Sequence, residues 1–461
     1  MMFLHLLLAA DAWWETLLQT ISLRDYNTRI VLGGTALLGI SGGIVGTFLV
    51  LRKRALATDV VSHASLPGIA IAFLLAEQFA PGQGRSALVL LCGAFVTGFL
   101  GMAMTLAIRR WTRIKEDAAM AIVLGIFFGF GMALFTVVQR TRTGNAAGLS
   151  HFIFGKAASL VAADVWLIGI VSVVVTLVCC GLFKEFALLC FDEEFAAARG
   201  YRTMALDWLL TLMSIIVTLI GLQSVGLLLV VALLLIPPTA ARFWTNNLKV
   251  MAGLAGIVGG LSCMGGVLIS ATFPRIAAGA VIVLVAATLF LFSLLFGSVR
   301  GLWPRWRAQR EFEQRIGRSD LLRACFEYLE PLLRNADPGQ LQQMPIPAVR
   351  LQRMRGWPEF RFRNLTAAAE RAGLLKRTGN GWQLTETGAK ESLASVRQHR
   401  LWEIYLLTET DLDPRLVDRG ADGIEHVLDP AQLANLETML AAESPAGIPA
   451  SPHPISGVAE P

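Results

Sequence analysis

The stretch Leu51–Phe73, LRKRALATDVVSHASLPGIAIAF, decides the fold. It begins at the end of one apolar segment and runs into the next, with the basic triplet Arg52-Lys53-Arg54 between them. Asp59 and His63 stand four residues apart, so a helical backbone puts both on one face. An acid and an imidazole near or within a bilayer are costly, and such residues face a bundle interior or a polar pathway. Carboxylate and imidazole together also form a ligand set for divalent transition metals. On spacing alone the alternative stands that Asp59 lies in a loop and His63 caps a helix.

The rest of the chain agrees with a membrane setting. Of 461 residues, 54% are hydrophobic and 16% charged, and the charge is unevenly spread. Residues 28–297 are mostly apolar, whereas 300–440 read like a soluble protein large enough to bury its own core. The net charge of +6 reflects basic clusters at loops flanking the apolar runs and at the start of the soluble part. Cys92, Cys179, Cys180, Cys190, Cys263 and Cys325 have no metal-ligand spacing and are expected to be reduced packing residues. The opening MMFLHLLLAA has no basic n-region, so a cleaved signal peptide is not expected.

Apolar runs long enough to span lie near 28–51, 56–77, 86–109, 118–138, 161–183, 248–271 and 276–297. The block 205–241 is too long for one ordinary span and is expected to break near Gly221–Gly226, GLQSVG, with one half able to be re-entrant. The fold class expected is an all-α polytopic bundle of eight or nine transmembrane helices. Basic clusters at 52–54, 109–115, 184–202, 242–249 and 300–307 alternate as nine crossings require, with the N-terminus outside and the C-terminus in the cytoplasm. Arg140 and Arg142 in the loop 139–150 break that pattern. Residues 1–27 carry Asp11, Glu15, Trp13 and Trp14 and suit an interfacial segment better than a span. Small residues crowd 33–46, 125–131 and 253–260, which allows close helix approach. Between the fifth run and the 205–241 block, KEFALLCFDEEFAAARGYRT at 184–203 is short, amphipathic and stopped by Gly200, a helix able to dock on a soluble partner.

Taken together, these motifs resemble the permease subunit of the ATP-binding cassette (ABC) importers of manganese, zinc or iron. The resemblance covers roughly 28–297 and rests on Leu51-Arg52-Lys53, Asp59, Ser62-His63-Ala64, Leu66-Pro67-Gly68, FDEEFAAARGY at 191–201 and VGLLLVVALLLIPPTAAR at 225–242. It implies that Asp59 and His63 line the translocation path and contact the metal. It also implies that Phe191, Asp192, Glu193, Glu194, Gly200 and Tyr201 belong to the coupling helix that enters a cleft in the ATPase. The sequence has no P-loop, so ATP hydrolysis is expected from a separate ATPase chain, and the resemblance implies a transport subunit rather than an enzyme. Further implied partners are an extracytoplasmic metal-binding protein and a second permease copy or paralogue, in the lipid of the inner (plasma) membrane. No permanently bound cofactor is expected; the divalent transition metal is substrate and effector.

The remainder, 318–440 after a basic linker at 300–317, resembles a metal-dependent repressor of the diphtheria-toxin-repressor type, a cytoplasmic winged-helix-like α/β domain. The matching pieces are the first helix 319–330, TAAAERAGLL at 366–375, a wing at 375–388, HRLWEIYL at 399–406 and Glu425-His426-Val427. The candidate recognition helix is 359–373, where Arg361, Arg363 and Asn364 are able to contact DNA phosphates or base edges. Residues 338–358 match that family poorly. For metal sensing, Asp422, Glu425 and His426 lie at i, i+3 and i+4, His399 and Glu403 at i and i+4, and Asp320 where manganese-selective members place a carboxylate. Asp422, where iron-type members have cysteine, implies a hard-ligand site of the manganese type. Arg323 stands where those members have a second carboxylate. Residues 441–461 are Pro- and Ser-rich and are expected to be disordered. A membrane-tethered DNA-binding regulator and a self-sufficient secondary transporter are the competing functions; the coupling segment argues against the latter.

Overall fold

The computed structural model describes residues 26–79, 86–140, 162–273, 276–332, 341–342, 344–379 and 381–409. The expectations for the N-terminal segment 1–25, most of the 139–150 loop and everything from 410 onward, including Asp422, Glu425 and His426, lie outside them. The chain divides into two compact units, Met1–Arg305 and Trp306–Pro461.

The first unit is helical. Its elements are α1 (Tyr26–Leu51), α2 (Ala57–Phe79), α3 (Ala87–Trp111), α4 (Glu116–Arg140), α5 (Ala162–Gly181), α6 (Phe183–Phe191), α7 (Glu193–Ala198), α8 (Thr203–Val225), α9 (Leu227–Ala241), α10 (Leu248–Thr272) and α11 (Ala278–Phe296). Eight of these, α1–α5, α8, α10 and α11, are long and apolar enough to cross a membrane. The 205–241 block breaks at Gly226, whose φ of 94° is open to glycine and strained for any residue with a Cβ. The 15 residues of α9 rise about 22 Å, short of the roughly 30 Å of a bilayer core. Its Pro237 and Pro238 also remove two helix donors. So α8 is a full-length crossing and α9 a short return.

That return is fixed at its far end. The backbone N–H groups of Val299 and Arg300 both donate to the Phe243 carbonyl, at 3.1 and 3.2 Å, so the end of α9 lies beside the end of α11. α1 and α10 touch through their backbones at Gly39 and Gly259, where a Cβ on either would strike the other's carbonyl oxygen. Two large apolar cores lie in the described part of the bundle, beside a small third cluster of Ala241, Met251 and Ala255. Leu38, Val45 and Phe48 of α1 pack with Val230, Leu233 and Leu234 of α9 and with residues of α5, α8, α10 and α11. Val60, Leu66 and Phe73 of α2 pack with Met102 of α3, and with Met120 and Val123 of α4. α8 serves both cores, through Leu210, Met213 and Val217 on one side and Ile215, Leu219 and Leu222 on the other.

α12 (Leu302–Leu329) lies in the second unit from Trp306 onward and leads to β1 (Ile346–Pro347), α13 (Ala348–Met354), α14 (Glu359–Arg371), β2 (Leu375–Thr378), β3 (Gly381–Leu384) and α15 (Glu386–Glu409). The segment read as a linker, 300–317, is helical from Leu302 and continues without a break into the expected first helix. The poorly matching 338–358 region supplies β1 and α13. The strands form one antiparallel sheet in the order β1-β3-β2, with Leu375 opposite Leu384 and Ile346 opposite Trp382. The β2–β3 hairpin occupies the place expected for a wing. Leu321, Phe326, Ile346, Leu351, Phe362, Leu375, Leu384 and Val396 form the core of this unit.

Candidate functional site

Asp59 sits in the first turn of α2, where a carboxylate is favoured by the helix dipole, and His63 follows one turn later. Their side chains meet, Asp59 Oδ1 lying 3.4 Å from His63 Nε2. Asp59 and His63 are 32% and 19% exposed while their neighbours Val60, Val61, Ser62 and Ala64 are buried, so the pair is the half-exposed face of the packed first half of α2. The His63 ring stands edge-on to Phe128 of α4, centroids 4.9 Å apart. Its Nδ1 is buried and has no hydrogen-bond partner among the described residues. Pro67 removes the N–H that would bond the His63 carbonyl four residues back, so an oxygen is released from the helix ladder at the same level. Among the described residues, no group of three or more His, Cys, Asp or Glu side chains is disposed to hold a metal. The pair thus offers two donor side chains, a carboxylate and an imidazole, side by side.

Directly before α2, the motif arginines are clamped. Arg54 is 1% exposed and bonds Asp207 of α8 at 2.8 and 3.0 Å and Glu116 of α4 at 2.5 Å. Arg52 bonds the same Asp207 carboxylate at 2.9 Å, Glu193 of α7 at 3.0 Å, and the Leu189 carbonyl of α6 at 3.0 Å. Arg109 of α3 adds a 3.0 Å pair with Glu116. Burial disfavours the charged Arg52, but Asp207 and Glu193 outweigh it and hold its pKa above the ordinary value. Sequence reading missed Asp207 and Glu116. The signal was there: Asp207 is the single charged residue between Thr203 and Ala241, and such a charge demands a partner.

The docking segment differs from the single helix expected. It is two short helices, α6 and α7, broken at Asp192, whose extended backbone stops α6 and whose side chain accepts from the Phe195 N–H at 2.8 Å to cap α7. Gly200, at φ +85°, ends α7. Phe191, Glu194, Phe195 and Tyr201 are exposed, with the Arg199 guanidinium 5.3 Å over the Phe195 ring. The inner face is held by buried Phe186 and Leu189 and by Cys190, whose thiol burial pushes up to about 11, offset in part by Arg52. The result is a rigid acidic and aromatic ledge tied through Arg52 to α8 and to the start of α2.

In the second unit, Arg361, Arg363 and Asn364 are exposed on α14. His399 and Glu403 are buried on α15, Nε2 lying 3.2 Å from Oε1. Arg323, 1% exposed, stands beside them: it contacts His399 Nδ1 and lies 4.0 Å from Asp320 and 3.6 Å from Glu327. Asp320 and His399 therefore face a guanidinium rather than an open ligand seat, with Glu403 against the other ring nitrogen of His399.

Comparison with known proteins agrees with this layout. Residues 25–297 match the ABC 3 transport family, and residues 385–449 match the iron dependent repressor, metal binding and dimerisation domain. The chain is 37% identical to the manganese transport system membrane protein MntC of Bacillus subtilis over 395 residues, 85% of this chain and 87% of that protein. It is 42% identical to the zinc transport system membrane protein TroC of Treponema pallidum, over 62% of this chain and 94% of that protein. Among solved structures it resembles PsaBC from Streptococcus pneumoniae in complex with Fab, with a TM-score of 0.53 and 30% identity over 61% of this chain and 96% of that one. The bundle, with eight helices among the described residues long and apolar enough to cross a membrane, its broken 205–241 block and the extent of these matches together make the chain a member of the ABC 3 transport family.

Proposed function

We propose that this chain is the membrane permease of an ATP-binding cassette importer that moves divalent transition metal ions, manganese, zinc or iron, across the inner membrane. Relatives named for manganese and zinc transport support the cargo. The observation that carries the reading is the Asp59–His63 pair on the accessible face of α2. Two ligands with bonds of about 2.1 Å to one ion at a tetrahedral angle stand about 3.4 Å apart, and that is the separation of Oδ1 and Nε2. A half-site of two side chains holds an ion weakly and lets it leave. A second permease copy or paralogue would complete the path, and an extracytoplasmic binding protein would deliver the ion.

The basic ends of α1, α3, α10 and α11 mark the cytoplasmic side, by the excess of Lys and Arg on that side of membrane proteins. The ledge of Phe191, Asp192, Glu193, Glu194, Gly200 and Tyr201 is then the dock for a separate ATPase. Closure of the ATPase pair moves α6–α7, and Arg52 passes the movement to Asp207 of α8 and to the turn before Asp59. The C-terminal unit is a cytoplasmic regulatory domain of the metal-dependent kind, with Asp422, Glu425 and His426 as its remaining ligand candidates. A second reading, a DNA-binding regulator tethered to the membrane, draws on the exposed Arg361, Arg363 and Asn364, and a gel shift with Mn²⁺ decides it. The main test is uptake of Mn²⁺, Zn²⁺ and Fe²⁺ into liposomes holding the permease with its ATPase. ATP-independent uptake of equal rate would falsify the ABC mechanism.

A further inference from the structure

We propose that Arg323 is a tethered cation that occupies the seat between His399, Asp320 and Glu327, so that this half of the regulatory unit is locked without metal. The inference deepens the reading of the C-terminal unit as a metal-related regulatory domain and rests on it.

The hydrogen-bond chemistry carries the argument. A guanidinium is always protonated and only donates. Arg323 Nη1 contacts His399 Nδ1, so Nδ1 is the acceptor and the ring is neutral there. The ring proton is then on Nε2, which faces Glu403 Oε1 at 3.2 Å. The one ring lone pair is thereby committed to Arg323, and Nε2, which carries the proton, faces the Glu403 carboxylate. A metal ligand needs a free nitrogen lone pair, so His399 cannot ligate while Arg323 stays. The carboxylates point the same way. Asp320 Oδ1 is 4.0 Å from Nη2, and Glu327 Oε1 is 3.6 Å from Nε and 3.0 Å from Arg355. Arg323, His399 and Glu403 are all at most 3% exposed, in the dry interior where an ion must be neutralised by its neighbours. One positive charge from α12 meets carboxylates of α12 and an imidazole of α15, the task a divalent ion would perform in tying the two helices. Residues 385–449 match a metal-binding domain, yet within the described residues the donor set is already closed by a side chain.

The consequence is a gain of metal dependence when the tether is cut. The full-length protein in detergent micelles, stripped with EDTA, would be digested by a limiting protease with and without excess Mn²⁺, and cleavage between 320 and 400 followed by mass spectrometry. In wild type, Mn²⁺ should change this cleavage by less than about twofold, or protect in a way that His399→Ala leaves unaltered. Arg323→Glu should be cut about tenfold faster or more in EDTA, because local opening governs proteolysis. Mn²⁺ should restore its protection, and the added change His399→Ala should abolish that rescue. If Arg323→Glu does not accumulate, Arg323→Met, which keeps the bulk and removes the charge, takes its place with the same expectation. Wild-type protection that His399→Ala removes would overturn the proposal, as would an Arg323 variant indifferent to Mn²⁺. The regulatory reading is tested apart from this, through His426→Ala, whose loss of a wild-type Mn²⁺ effect would leave the Arg323 seat in place.

Discussion

Arg54 grips Asp207 with both terminal nitrogens, Nη1 to Oδ1 at 2.8 Å and Nη2 to Oδ2 at 3.0 Å, from a position almost wholly closed to solvent. The pair fastens the turn between α1 and α2 to α8, the helix that serves both apolar cores. Removing one partner of a buried pair strands the other charge and costs about 3–5 kcal/mol. Asp207→Ala and Arg54→Ala should each lower the unfolding midpoint of the purified permease. The double variant should lose less than the sum, because Arg54 is then no longer buried without Asp207, although Arg52 still loses that partner. Additive losses would mean the two side chains act independently.

If the ledge docks an ATPase, Arg52 is placed to pass on its movement, since its guanidinium bonds α6, α7 and α8 together. Arg52→Ala should leave ATP hydrolysis by the assembled complex running while uptake falls. Cys190 offers a local readout. A thiol raised to about 11 is a poor nucleophile at pH 8, so its alkylation should climb roughly tenfold per pH unit rather than level off above about 8.5. Loosening the ledge with Arg52→Ala should expose Cys190 and bring the plateau down toward that ordinary value. Site-resolved mass spectrometry after timed iodoacetamide treatment would decide this, and an unchanged Cys190 profile would place the ledge's stiffness elsewhere.

Gly200 ends α7 at a φ of +85°, where a residue with a Cβ is strained by about 1–2 kcal/mol. Open space surrounds the position, so the penalty for Gly200→Val is conformational rather than steric. The expected outcome is an intact bundle whose ledge presents Tyr201 differently, seen as a complex that assembles weakly with its ATPase. Normal co-purification and normal uptake in this variant would remove Gly200 from the dock.

The spans were legible because each needs only length and apolarity, and the break in 205–241 because Gly221 and Gly226 interrupt it. What the sequence could not supply was partnership across the fold. Asp59 and His63 are neighbours by helical period and were found together. Asp207 and Arg54 lie 153 residues apart and meet only after α8 folds against α2. The docking segment reads as one helix by periodicity, yet Asp192 competes with the ladder by capping α7 from its own side chain. Arg323 looked like a missing ligand in one dimension. In three it is the cation that His399 and Asp320 surround.

The pathway assignment has a direct check. Asp59→Ala and His63→Ala should each cut uptake below about a tenth of wild type, since a two-ligand half-site has none to spare. The complex should still assemble, because both side chains sit on the accessible face and neither belongs to the packed cores. His63→Ala also frees Phe128 of its edge contact, so His63→Gln, which keeps bulk and polarity, separates packing from ligation. Uptake retained by His63→Gln and lost by His63→Ala would assign His63 a packing role.

The C-terminal unit should restrain transport when internal metal is high. Cutting at 318 would sever α12 in its middle and leave its first half without the rest of the unit, so the informative deletion starts at Trp306, where the compact units divide. A regulatory domain shifts the permease only by its differential affinity for the permease's two states. A tenfold restraint needs a difference of about 1.4 kcal/mol, within reach of a small surface. Deleting 306–461 should leave uptake at low internal metal within about twofold of wild type, because the eight spans and the dock all precede the cut. At high internal metal, wild-type uptake should slow and the truncated chain should not. Cells preloaded with Mn²⁺ and given a radioactive pulse would report both. A truncated permease that slows as wild type does would mean the unit contributes nothing to control of transport.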